Sequence, residues 1–105
     1  MWGIDPELLC NKHLLGEHVE MQMFVGTLFK GKSIQGYINR GLVNPKLITE
    51  RHNDLADEMI KRGMNHNSKL QFDSSNLSMN HRFSLIKNKQ ELIRRCPDCK
   101  KRIIG

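Results

Sequence analysis

Residues 12–24, KHLLGEHVEMQMF, decide the fold class. Leu14, Met21, Val25 and Leu28 recur at steps of seven, four and three residues, the spacing of one helix face, and Leu15 and Val19 widen that stripe. A second stripe runs along the same helix. His13, Glu17, Glu20 and Phe24 stand at i, i+4, i+7 and i+11, so a histidine and two carboxylates share one side. Three uses fit this stripe. It can be a solvated face opposite the apolar one. It can be a metal site built from His13, His18, Glu17 and Glu20, although His13 and His18 lie five residues apart, about 140° round a helix, unlike the i, i+4 pair of a zinc helix. Or it can move protons, with an imidazole and a carboxylate a few ångströms apart.

The neighbouring segments also read as helices. DPELL offers Asp5 as a cap and Pro6 at a first helical position. SIQGYINRG holds one short helical turn that ends at Gly41. NPKLITERHNDLADEMIKRG is a helix with Asn44 as cap, Pro45 next, Lys61 and Arg62 in the last turn and Gly63 as stop. Its inner face carries Ile48, Leu55 and Met59, with His52 among them. MNHNSKLQFDSSNLSMNHR is rich in Asn and Ser and reads as a loop. NKQELIRRCP opens with a capping box, Asn88 and Glu91, and stops before Pro97. Strand alternation is weak throughout. The expectation is all-α: a small single-domain helical protein over residues 1–95, followed by a basic C-terminal tail, residues 96–105.

Size and charge narrow the function. A chain of 105 residues is one domain that buries about 60–65% of its unfolded surface. Residues 1–79 hold nine Lys/Arg and nine Asp/Glu, whereas residues 80–105 hold eight Lys/Arg against Glu91 and Asp98. The whole net charge of +6 therefore sits in the last quarter, which favours an acidic partner. No apolar run approaches the roughly 20 residues that span a bilayer, and no signal-peptide core opens the chain. Three cysteines, an odd number, fit a reducing cytosol rather than a disulfide framework.

CPDCKKR, residues 96–102, presents Cys96 and Cys99 two residues apart. These are two soft ligands, and a structural zinc needs four; Cys10, His66 or His81 would complete the set, though no spacing demands it. Ordinary reduced thiols and a redox pair are the other uses, the last lacking a thioredoxin-like context. The run Arg94, Arg95, Lys100, Lys101 and Arg102 is a solvated tail or, beside DNA, a set of phosphate contacts, with Lys30, Lys32 and Arg51 as further candidates.

HLLGEHVEMQMFVG resembles the first helix of the phage pyrimidine-dimer DNA glycosylases, the endonuclease V-type excision family. A histidine, a few apolar residues and two glutamates three apart occur there in the same order, ending in an aromatic/valine–glycine step. RHNDLADEMIKRG is similar to the family's later helix, with Leu55, Glu58 and Lys61–Arg62–Gly63 in register. GIDP sits where the family has a short Ile-Asn lead-in. The likeness covers roughly residues 1–65.

The resemblance implies a DNA glycosylase with coupled abasic-site lyase activity, acting on damaged or modified bases in double-stranded DNA. In that chemistry a nucleotide leaves the stack and an N-terminal amine attacks sugar C1′. An α-amine suits the task because its usual pKa, about 7.7–8.0, leaves roughly a tenth to a fifth of it neutral at pH 7. The imine acidifies the C2′ proton, and a carboxylate that removes it breaks the 3′ phosphodiester. The nucleophile would be Met1, since bulky Trp2 prevents trimming of the methionine. Glu20 would be the carboxylate, and His13 would contact DNA or orient the site. Trp2 would stack on a flipped base or fill its gap. Glu17, His18 and His52 join the basic residues as DNA contacts. No metal or other cofactor is required. Val19 and Met23 occupy positions where the family has arginines flanking the glutamate, and the family's aromatic C-terminal segment is replaced by the cysteine-bearing tail. The cytoplasm of a bacterial or phage-infected cell is the expected location. The alternative is a non-catalytic nucleic-acid-binding protein on the same scaffold.

Overall fold

The computed structural model describes residues 1–64 and 72–105. The described residues form five helices: α1 (Asn11–Phe29), α2 (Gln35–Asn39), α3 (Ile48–Lys61), α4 (Leu85–Arg95) and α5 (Pro97–Ile104). Two 3-10 turns, Pro6–Leu8 and Pro45–Leu47, precede α1 and α3. No strand occurs among the described residues, so the protein is all-α, as its periodicity predicts. No described helix is long and apolar enough to cross a membrane.

α1 packs chiefly on α3. Leu14, Met21, Phe24 and Val25 meet a core that includes Ile48, Leu55 and Met59, most of them without solvent contact. The inner face of α1 is nevertheless not the stripe that hydropathy outlines. Leu15 and Val19 are 45% and 53% exposed, while Glu17 and His18 are buried. The helix is rotated so that the polar stripe is half inside. Two partners on α3 make this possible. Arg51 neutralises Glu17, and the His52 ring lies against His18 with centroids 4.4 Å apart.

The caps differ from the sequence expectation in instructive ways. Asp5 accepts from the Glu7 amide at 3.0 Å, but it caps the Pro6–Leu8 turn, and α1 begins only at Asn11 behind Cys10. Asn44 does not cap α3. It is buried, its Oδ1 accepts from the Asn80 amide at 3.4 Å, and Leu47 precedes the helix. Ser84 caps α4 by accepting from the Lys87 amide at 3.3 Å, whereas Asn88 lies inside the helix. The predicted stops hold: Gly41 and Gly63 take φ +70° and +78°, just past Arg40 and Arg62, the C-caps of α2 and α3.

The basic C-terminal tail is itself helical. α5 packs on α4 and on the Pro6–Leu8 turn. Arg102 Nε donates to Glu7 O at 2.9 Å, and the Cys10 amide donates to Cys99 Sγ at 3.2 Å. The two ends of the chain therefore meet. Residues 72–84 contain no helix and are pinned by side chains. Asn80 Nδ2 donates to Ile38 O and Val43 O at 2.7 and 2.9 Å, and buried Ser74 bridges Thr49 N and Lys46 O.

Candidate active site

A chain end is usually frayed. Here it is fastened. The Met1 side chain belongs to the core, and its α-amine donates to Glu20 Oε1 and, at 2.9 Å, to Leu42 O. From α4, Asn88 Nδ2 donates to Trp2 O at 3.0 Å. Gly3 turns the chain at φ +76°, and a Cβ there would lie 2.7 Å from Leu85 Cδ2 and 2.8 Å from Phe83 Cζ, so only glycine fits. Ile4 is buried in the core. The first four residues are thus held by α1, α4 and the α2–α3 connection together. The Glu20 side chain keeps 36% of its surface in solvent, so the amine–carboxylate pair lies at the edge of the core rather than inside it.

Glu17, one turn back, has a different fate. Arg51 grips it with two hydrogen bonds, Nε to Oε2 at 2.6 Å and Nη2 to Oε1 at 2.9 Å, and the Gly3 amide reaches Oε2 at 3.4 Å. Two glutamates three residues apart therefore divide the work. One is neutralised and props the N-terminal turn, and the other faces the amine. The expectation that Glu17, His18, Arg51 and His52 touch DNA is not met. All four are buried, Glu17 and Arg51 against each other, and of the four Glu17 and Arg51 show only an edge to a cleft.

Trp2, Lys12, His13, Gly16, Glu17 and Glu20 wall a cleft of about 240 Å³. The Trp2 ring stands edge-on to His13, centroids 6.0 Å apart. Burial first, and Lys12 second, lower the His13 imidazole below its ordinary value. A larger cleft, about 970 Å³, includes Leu42 and Asn88, both of which touch the chain end, together with Arg40, His81, Arg82 and Lys87. This basic wall is invisible to local sequence patterns because its residues come from the α2–α3 connection and from α4 and its approach, about 40 or more residues apart. Lys30, Lys32, Arg94, Arg95, Lys100 and Lys101 are all exposed, as phosphate contacts must be. A third cleft, walled by Asp5, Glu7, Asp54, Asp57 and Glu58, has the wrong sign for phosphate.

A family model described as pyrimidine dimer DNA glycosylase matches residues 1–72. The chain belongs to that family. No curated protein and no solved structure matches it. The matched span includes the amine, Glu20, the Glu17–Arg51 pair and Leu42. It excludes α4 and α5, and so Asn88 and both cysteines of CPDCKKR.

Those cysteines are not alone. Cys10 Sγ lies 3.8 Å from Cys96 Sγ and 3.2 Å from His13 Nδ1, and Cys99 completes a group of four. Burial pushes the Cys99 thiol up to about 12, while the Cys99 amide holds the Cys96 thiol below its ordinary value. Of the partners that the sequence offers, Cys10 is present. His81 lines the basic cleft instead, and His66 lies outside the described residues. His13 takes the fourth place. A signal for it exists in the chain: Cys10 and His13 have the same two-residue gap as Cys96 and Cys99.

Proposed function

We propose that this protein is a DNA glycosylase with coupled abasic-site lyase activity. One observation carries the proposal: the α-amine of a pinned, core-anchored Met1 rests on the carboxylate of a half-exposed Glu20. A buried end built only for stability has no need of a carboxylate with one face in water. Amine chemistry on a sugar needs both groups at one place.

In the proposed reaction the neutral Met1 amine attacks C1′ of an extruded nucleotide. The C1′–N bond to the base breaks, and the base departs with its electron pair. The departing base takes a proton from the amine nitrogen, the C1′–O4′ bond then breaks with O4′ protonated from water, and the iminium left at C1′ acidifies the C2′ proton. Glu20 takes that proton, and the electrons expel the 3′ phosphate by β-elimination. Before this step the Glu20 charge also stabilises the cationic sugar. Gly3 and Asn88 hold the amine in line, so its position is set before substrate arrives. Trp2, beside the amine and part of the same cleft as Glu20, offers a face for the extruded base or its partner to stack on. His13 walls that cleft and needs no proton step. Arg40, Arg82 and Lys87 in the larger cleft, with Lys30, Lys32, Arg94, Arg95, Lys100 and Lys101 outside it, supply the phosphate contacts on double-stranded DNA.

Borohydride reduction tests the reading. A Schiff base on abasic-site DNA is reduced to a stable covalent adduct, and peptide mapping should place it on the Met1 nitrogen. An acetylated or extended N-terminus should give no adduct while far-UV circular dichroism stays unchanged. Glu20→Gln should still form the adduct, but strand cleavage should fall about 10²–10⁴-fold, the worth of one positioned acid–base group. Absence of any adduct from a folded protein that binds DNA would instead support the non-catalytic binding module, a reading favoured by exposed Val19 and Met23 at the positions of the family's arginines.

A further inference from the structure

We propose that Cys10, His13, Cys96 and Cys99 form a structural zinc site that bolts α5 to the start of α1. Their ligand atoms all lie within 4.8 Å of one another. A tetrahedral site with Zn–S of about 2.3 Å and Zn–N of about 2.0–2.1 Å has edges of about 3.8 Å between sulfurs and about 3.6 Å between sulfur and nitrogen. Cys10 Sγ to Cys96 Sγ is 3.8 Å, and Cys10 Sγ to His13 Nδ1 is 3.2 Å. The four side chains are already grouped as the vertices of a metal site would be.

The backbone supports the same assignment. Each half of the set is a Cys-x-x-ligand pair at a helix start: Cys10 precedes α1 and Cys96 precedes α5. Both helices therefore turn their positive ends toward the sulfurs, which favours thiolate over thiol. Two amides also point at sulfur, Cys10 N to Cys99 Sγ at 3.2 Å and Cys99 N to Cys96 Sγ at 3.4 Å. Three thiolates and one neutral imidazole around a divalent ion leave a charge of −1, and these two N–H groups and two helix ends are its compensation. Up to three thiol protons are released as the ion binds. Cys96 and Cys99 are buried and His13 is partly so, which shields the centre from exchange. Four protein ligands leave no open coordination position, so the centre is structural and not a Lewis acid for DNA chemistry. It fixes the floor of the cleft that holds Trp2 and Glu20, because His13 belongs to both.

The test is metal content, read without DNA. Protein purified under reducing conditions without chelator should carry one zinc per chain by mass spectrometry of the metal. After removal of zinc, cobalt(II) should restore one equivalent, with the visible bands of tetrahedral cobalt and an ultraviolet thiolate-to-metal charge-transfer band. The wild-type chain gives this result without any mutation. Cys96→Ser should abolish the cobalt spectrum, and His13→Gln should weaken metal retention and shift the visible bands while keeping the charge-transfer band. Folded wild-type protein that binds neither zinc nor cobalt stoichiometrically would overturn the proposal. So would an unchanged cobalt spectrum in Cys10→Ser together with His13→Gln, or a Cys10–Cys96 disulfide in metal-free protein isolated under reducing conditions. Because borohydride trapping is a separate measurement, failure here leaves the amine chemistry standing.

Discussion

Arg51→Met removes a cation and keeps an apolar stem of similar length. The residue is 7% exposed and Glu17 is 3% exposed. Once the guanidinium is gone, the Gly3 amide at 3.4 Å still reaches the Glu17 carboxylate, but no cation balances its charge there. Stripping one partner from a buried pair costs about 3–5 kcal/mol, because the other charge stays desolvated. For a domain of this size about 4 °C of Tm accompanies each kcal/mol, so Tm should fall by about 12–20 °C. That approaches the whole stability of a small domain, about 5–15 kcal/mol. Urea unfolding followed by helical circular dichroism measures the change. Arg51→Met combined with Glu17→Gln should recover part of the loss, since the buried carboxylate charge is then gone as well. A DNA-contacting arginine behaves otherwise: its removal weakens binding and leaves the unfolding midpoint alone. A stability loss below about 1 kcal/mol, the level of an exposed ion pair, would refute the reasoning. So would a double variant no better than the single one.

Gly3→Ala should lower both Tm and the yield of borohydride adduct. The left-handed φ and the 2.7–3.0 Å approach of Leu85 and Phe83 force the chain end to shift; an unchanged yield would mean that the amine is not held by this turn. Replacing Lys100 and Lys101 by Gln should reduce the slope of log affinity against log salt by about 0.9 for each phosphate no longer neutralised, equally on all DNA sequences. A slope that ignores the change would make them solvated charges. Arg94, with Arg95 second, holds the Glu91 carboxyl down from an ordinary 4.5 to about 2. Its folded value is the lower one, so the pair's contribution is complete above about pH 4.5 and disappears as pH falls through about 2. The Tm difference between wild type and Glu91→Gln should be constant above about pH 5 and vanish near about pH 2; a difference already gone at about pH 5 would contradict the pairing.

What could be read in the sequence was local. The stops at Gly41 and Gly63 were legible because a left-handed residue past a helix end is a property of one position. The helical stripe of His13, Glu17 and Glu20 was legible from spacing alone, whereas the start of α1 was not, because Asp5 and Pro6 serve a separate turn. The orientation of α1 was not, because Leu15 looks as apolar as Leu14. What turns Leu15 outward is an arginine 34 positions beyond Glu17 that allows a carboxylate to be buried. Asn44 and Asn88 carry cap chemistry, yet each directs its side chain to a distant contact. Ser84, an equally good capping residue, stands four positions before Asn88 and takes the cap. Cys10-x-x-His13 and Cys96-x-x-Cys99 are alike in spacing, but only the docking of α5 on the Pro6–Leu8 turn makes them neighbours.

The fastening of Met1 also has a consequence in time. Met1 leaves the ribosome before the groups that hold it: Leu42 follows 41 residues later and Asn88 follows 87 residues later. Glu20 and Leu42 can take the amine once residue 42 is out, but the carbonyl of Trp2 gains Asn88 only after residue 88 has emerged. Until then the end lacks part of what fastens it. A group added to the Met1 nitrogen would displace it from Glu20 and from Leu42 O alike, so the seat reads the state of the chain end.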